Sequence, residues 1–275
     1  MTKINTSSNG ELLGALEIRF LALKSRYPML KHVFSDWLSN QVDATRASKE
    51  ADLVQAIAVL IESVEEDSVN RKASQTLPPY HNAEHAKEVL IALHILLEED
   101  SRLAPNTTWD PFTHREKLLL TCAAIGHDFL HPGGINREVK EFEERSANAV
   151  ETILTQCHIA THEVSWVKEI ILATDFDQVK SLHKHYKSHG KKASKLLQAQ
   201  IILTEADVFA SVLPGYGRQL SRKLAEEFQM TKTPRAEDLL TEEGRLRFLE
   251  KVCFSTPHAS QLGLNNIISN IIKLG

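Results

Sequence analysis

Apolar residues recur every three to four positions through almost the whole of this chain, and no convincing stretch alternates in steps of two. That period marks one face of an α-helix, whereas a half-buried strand repeats every second residue. "ELLGALEIRFLALKSRY", "ADLVQAIAVLIESVEED", "HAKEVLIALHILLEED" and "REKLLLTCAAIG" carry it, as do "RSANAVETILTQC", "EVSWVKEIILAT", "SKLLQAQIILTEADVFASVL", "RQLSRKLAEEF" and "NNIISNIIKL". Breakers fall between these segments, in "PPYHN", "HPGG", "SHGKK" and "TPH". No period of about 20–50 residues marks a repeat array, and no long Pro/Gly/Ser linker divides the chain. The pattern predicts an all-α fold, a compact multi-helix bundle forming one domain over residues 1–275. Residues 1–75 are expected to form an N-terminal helical layer without ligand-type clusters, and 76–275 the functional core.

Composition excludes several classes of partner. No apolar run approaches the ~20 residues that a membrane helix needs, and the start, "MTKINTSSNGELLG", lacks the apolar centre of a secretory signal. Cys122, Cys157 and Cys253 are odd in number and widely spaced, so they read as reduced thiols of a cytoplasmic protein. A net charge of −4 argues against a grip on nucleic acid built from phosphate neutralisation. Attraction of an anionic small molecule would then have to be local, and a bound cation supplies it.

Polar residues inside the apolar pattern point to such a cation. "GHDFLHPGG" crowds His127, Asp128 and His131 at the end of an apolar helix and then breaks the chain. In "YHNAEHAKEVL", Asn82 is a good N-cap and Glu84 suits the positive end of the helix dipole. His85 then falls on the inward side with Val89 and Ala92, and His81 sits just outside the helix start. Asp207 lies among Ile201, Ile202, Leu203, Val208, Phe209 and Val212, with no Lys or Arg one turn away. Taken singly, His85 reads as a satisfied core histidine and Asp207 as a carboxylate partnered by Ser211 or Thr204. Taken together, two histidines and two aspartates on three successive core helices make a mixed N/O set suited to Zn²⁺ or a similar ion. Asp128 is then able to bridge to a second, harder ion.

In that order, His85, His127–Asp128 and Asp207 resemble the HD superfamily of metal-dependent phosphohydrolases. "YHNAEH", "GHDFLHPGGIN", "ILATDF", "EADVFAS", "GRQLSRKLAEEF" and "SQLG" look more specifically like the successive signatures of class I 3′,5′-cyclic-nucleotide phosphodiesterases. The resemblance runs from about Tyr80 to Leu264. It implies that His85, His127, Asp128 and Asp207 hold a first metal, Zn²⁺, and that Asp128 bridges to a second, Mg²⁺ or Mn²⁺. It implies that His131 bonds a water or phosphate oxygen near the second ion. His81 would be the general acid for the departing 3′ oxygen, with Glu227 orienting it. Gln261 would bond the base edge and Leu264 would press on the base. The implied reaction is hydrolysis of cAMP and/or cGMP to 5′-nucleoside monophosphates by a water activated between two cations. Nucleic acid and membrane are not implied as partners.

The chain departs from that pattern around the base. Leucine stands at 264 where the family carries an aromatic, Ala210 replaces an asparagine, and Gly217 and Leu220 occupy aromatic positions. The segment from Asn136 to Ser146 is short, leaving Glu138, Glu141, Glu143 and Glu144 as candidates for one acidic partner of the second ion. The chain ends 11 residues after Leu264, which predicts a shortened closing helix. Two other readings stand beside the first: an HD phosphohydrolase acting on a nucleoside monophosphate, a cyclic dinucleotide or an alarmone, and an inert nucleotide-sensing module. Of the remaining histidines, "HKHYKSHG" reads as a solvated loop, His158 and His162 as caps of a helix junction, and His94 and His114 as surface or boundary residues. Cys122 reads as core filler.

Overall fold

A computed structural model describes residues 6–41, 50–103, 109–234 and 236–274. Residues 1–5, part of the stretch read above as lacking a secretory signal, lie outside the described residues. Among the described residues there are thirteen α-helices, four short 3₁₀ turns and no strand. The helices are α1 (Thr6–Arg26), α2 (Leu30–Gln41), α3 (Ala51–Ala73), α4 (Ala83–Glu98), α5 (His114–Gly126), α6 (Glu141–Gln156) and α7 (Thr161–Ile171). They continue with α8 (Phe176–His189), α9 (Lys195–Phe209), α10 (Tyr216–Met230), α11 (Glu242–Leu249), α12 (Pro257–Gln261) and α13 (Leu264–Leu274). The all-α class is as the periodicity requires. No single helix among the described residues is long and apolar enough to cross a membrane.

Helices α4, α5 and α9 pack against one another at the centre. Every residue of α4 from His85 to Leu97 is buried, and α9 is buried almost as completely. Such helices are apolar on all sides because neighbours cover all sides. Asn82 caps α4 through an amide hydrogen bond from Glu84, and Thr113 and Glu116 form a reciprocal capping box at α5. These caps fix where the central helices begin, and so where their polar residues emerge. The central helices are not successive: α6–α8 intervene between α5 and α9, with α6 and α7 packed on the outside of α5.

The N-terminal layer does more than cover the core. Phe20 of α1 is fully buried against Phe209 and Tyr216, at ring-centroid distances of 5.8 Å to each. Glu17 accepts from the Gly215 amide at 3.0 Å and from that of Tyr216, capping the start of α10. Two histidine readings need correction. "HKHYKSHG" is the end of helix α8 and not a loop, and His183 within it is buried, bonding Ser255 Oγ at 2.8 Å and Thr204 Oγ1 at 3.0 Å. His94 is buried and stacked on Trp37 at 4.9 Å, and His114 stacks on the same indole. Tertiary contact with an aromatic from α2, distant in the chain, draws His94 inward, while His114 stays at the boundary.

Candidate metal centre

Three central helices deliver four ligand-type side chains to one point. His85 comes from the first turn of α4, His127 and Asp128 from the end of α5, and Asp207 from the last turn of α9. His85 Nε2 lies 3.0 Å from Asp207 Oδ1 and 3.3 Å from Asp128 Oδ2. His127 Nε2 lies 3.1 Å from Asp128 Oδ2 and 3.5 Å from Asp207 Oδ1. The same two oxygens thus face the same two nitrogens. His85, His127 and Asp128 also bring one ligand atom each within 4.8 Å of one another, and this mixed N/O donor set suits a divalent cation in its chemistry.

The tautomer of His127 supplies a second test. Its Nδ1 donates to the Ala124 carbonyl at 2.9 Å, which leaves a lone pair on Nε2. That buried Nε2 has no hydrogen-bond partner, although two carboxylates sit against it. Lone pairs facing lone pairs in a buried site are repulsive unless a cation or a proton stands between them. Without an ion the protons collect there: burial works against charge on His85, yet hydrogen bonds to Asp128 and Asp207 push its pKa up to about 9. His127 is driven well above its usual range, burial being outweighed by Asp128 and Asp207. Burial would raise the Asp128 carboxyl, but His127 and His81 hold it well below the carboxylate range.

Beside this cluster stands a second group, His81, His131 and Glu227, whose ligand atoms also lie close together. Its hydrogen bonds make it a proton-handling network. Glu227, a fully buried residue of α10, accepts from His81 Nδ1 at 2.6 Å. It also accepts from the amides of Tyr80 and His81, both at 3.0 Å, and of Gly134 at 3.1 Å. Burial opposes its charge, but the His81 cation and these donors lower its pKa to about 2. His81 is raised in turn: burial lowers it, and the charges of Asp128 and Glu227 more than compensate. With Nδ1 committed to Glu227, the Nε2 edge of His81 is the one left for a ligand. His131 stacks on His81 at 3.9 Å and accepts the Gly133 amide on Nδ1 at 3.0 Å. Burial, and then the His81 charge, lower its pKa to about 3. A neutral His131 in that tautomer carries its hydrogen on Nε2 and acts as a donor.

The base-contact residues fare differently. Gln261 ends the short helix α12 and is exposed. Leu264, implied above to press on a base, is 0% exposed and belongs to the hydrophobic core. Leu264, Ile267 and Ile268 form the stripe that seats α13, so Leu264 presents no face to a ligand. Among the four acidic candidates, Glu143 accepts from Asn136 Nδ2 at 2.8 Å, and its pKa is raised by burial and by the nearby charges of Asp175 and Asp128. It is the candidate turned toward the cluster.

Residues not singled out by sequence complete the setting. Arg71 of α3 donates to the His131 carbonyl at 2.7 Å, and lines a cleft with His81, Asp128 and His131. Asp175 is buried and accepts the Lys140 amide at 3.2 Å, tying α8 to the start of α6. Tyr80 packs on His85 at 4.6 Å and meets Ser211 Oγ at 3.3 Å. The motifs "ILATDF" and "YHN" already drew attention to two of these positions; nothing local distinguishes Arg71.

Comparisons with known proteins bear on this geometry. Residues 80–161 match the family model for 3′5′-cyclic nucleotide phosphodiesterase. That span holds His81, His85, His127, Asp128 and His131. No curated protein matches the chain in sequence. Among solved structures, the chain is similar to the phosphodiesterase domain of the RhoPDE fusion protein from the choanoflagellate Salpingoeca rosetta. The TM-score is 0.57 at 17% identity, covering 96% of this chain and 90% of that one. A second structure, of the phosphodiesterase domain of Salpingoeca rosetta rhodopsin phosphodiesterase, gives 0.57 and 17% over 95% and 86%. The family signature therefore falls on residues 80–161, which include helices α4 and α5, and over nearly all its length the chain shares the fold of these phosphodiesterase domains.

Proposed function

We propose that this protein hydrolyses 3′,5′-cyclic nucleotides, cAMP and/or cGMP, to 5′-nucleoside monophosphates. The observation that carries the reading is the His127 Nε2 lone pair, buried between the carboxylates of Asp128 and Asp207 with no proton donor aimed at it. His85, His127, Asp128 and Asp207 would hold a Zn²⁺ ion, and Asp128 would share its carboxylate with a Mg²⁺ or Mn²⁺ ion. Such ions, when bound, lower the pKa of water and neutralise charge on phosphoryl oxygens.

The chain's own groups do the rest. The ribose 3′ oxygen leaves poorly as an alkoxide, so its departure needs a proton. His81 is protonated above its ordinary range by Glu227 and Asp128, and the bond to Glu227 fixes its ring. It hands over the proton from Nε2. His131 donates from its own Nε2 to a phosphoryl oxygen, held at the right height by Arg71 on its carbonyl. Gln261 offers an amide able to flip between adenine and guanine edges.

A panel of substrates tests the reading. Protein loaded with Mn²⁺ or Mg²⁺ would be offered cAMP, cGMP, a cyclic dinucleotide and 5′-AMP, with products separated by chromatography. Release of 5′-AMP or 5′-GMP from the monomeric cyclic nucleotides is expected. The buried Leu264, with Ala210 and Gly217 at base-facing positions of the family pattern, favours a looser base site. Turnover of the dinucleotide or of 5′-AMP alone would therefore transfer the assignment to another HD phosphohydrolase, and inertness toward all four to a sensing module.

A further inference from the structure

Glu205 precedes Asp207 by two residues on α9 and is completely buried, yet among the described residues no Lys or Arg forms an ion pair with it. Its carboxylate is spent on one segment 50 residues away. Oε1 accepts the amides of Ser255 and of Thr256, the latter at 2.8 Å, and Oε2 accepts the Thr256 hydroxyl. Thr256 is itself the N-cap of α12, its Oγ1 accepting the Ala259 amide at 3.1 Å. His183 of α8 adds a second tie through Ser255 Oγ at 2.8 Å and bonds back to Thr204 Oγ1 of α9 at 3.0 Å. A five-residue helix has too few internal bonds to hold its own position. This buried cradle on α9 holds the start of α12, while His258 within α12 is anchored separately to Asp100 at 2.8 Å, and α12 ends at Gln261.

We infer that Glu205 is a positioning residue: through Ser255 and Thr256 it fixes the short helix carrying Gln261 to the same helix that carries Asp207. The inference rests on the proposed reading insofar as Gln261 meets the nucleotide. Its structural part, that α12 is pinned by Glu205, stands independently. Through this cradle the distance between Asp207 and the start of the helix that ends at Gln261 is constrained. Apolar packing alone would not set this distance, because a buried carboxylate with three donors has one satisfactory geometry.

The test uses the full chain loaded with Mn²⁺ and the variants Glu205→Gln and Glu205→Ala. Glu205→Gln keeps an acceptor for the two amides and guards against simple failure to fold. Amide hydrogen exchange is expected to accelerate at 255–261 in Glu205→Ala, and less in Glu205→Gln, while α4 and α5 keep their protection. KM for the cyclic nucleotide is expected to rise on the order of tenfold in Glu205→Ala, about what losing one hydrogen bond to the base costs. The expected changes in kcat and in bound metal are smaller than the change in KM, with Glu205→Gln intermediate. Unchanged exchange at 255–261 in both variants would overturn the inference. So would a loss confined to kcat or to metal content. If the wild type turns over no cyclic nucleotide, the reading of the site fails, and exchange alone decides whether Glu205 pins α12.

Discussion

His81 and Asp207 illustrate how differently two residues of one site should respond to removal. His81 is tied to Glu227 and stacked on His131, but it lies outside the set His85, His127, Asp128 and Asp207. His81→Ala should therefore retain its metal, measured by elemental analysis, while kcat falls ~10²–10⁴-fold, the usual worth of general acid catalysis. Asp207→Ala removes one of two oxygens facing both imidazoles, so bound metal should fall well below the wild-type stoichiometry together with turnover. Metal retained at full occupancy in that variant would move the centre elsewhere. These residues were legible because a carboxylate or imidazole on an apolar helix face demands a partner. Arg71 was not, since it reaches a carbonyl 60 residues away; Asp175 and Glu205 fall inside "ILATDF" and "EADVFAS", but their partners lie in segments distant in sequence. Leu264 was misjudged for the opposite reason, because the resemblance assigned it to the ligand while its own helical stripe with Ile267 and Ile268 assigned it to the core.

At the scale of elements, the junction between α9 and α10 is closely packed. A Cβ on Gly217 would fall 2.1 Å from the Ser211 carbonyl oxygen and 2.9 Å from Arg245 Nη1. Backbone cannot retreat as a side chain can, so Gly217→Ala should destabilise the protein by ~1–3 kcal/mol, the range for overpacking. The shift of the urea midpoint measures it. The glycine was visible in the sequence only as a missing aromatic; the close approach that requires it arises when α10 folds back across the end of α9. The helical elements themselves were far easier to read, since an apolar period of three to four survives whatever the tertiary arrangement. The order of packing was not readable, and helices taken as neighbours in the chain proved to be separated by three others.

Across the molecule as a whole, buried histidines link stability to pH. Burial pushes His94 down to about 3, and burial with the charge of Lys187 brings His183 down to about 4. In the unfolded chain both return to about 6.5 and bind protons that the folded protein refuses. Their contribution to stability is thus complete above about pH 6.5 and is lost as pH falls toward 4, at up to ~1.4 kcal/mol per unit for each residue. His94→Gln should flatten the fall in the urea midpoint between pH 7 and pH 5 relative to wild type. An unchanged slope would mean that His94 is charged in the folded state.

The first helix places Phe20 under the helix that carries Asp207 and sets Glu17 on the start of the helix that carries Glu227. Anyone trimming this protein to the stretch that bears the recognisable motifs would strip that plug away. The shortened product would still spell out every metal-directed side chain, yet it would expose Phe209 and Tyr216 to water and leave the first amides of α10 uncapped. The smallest unit that keeps this packing is therefore longer than its signature.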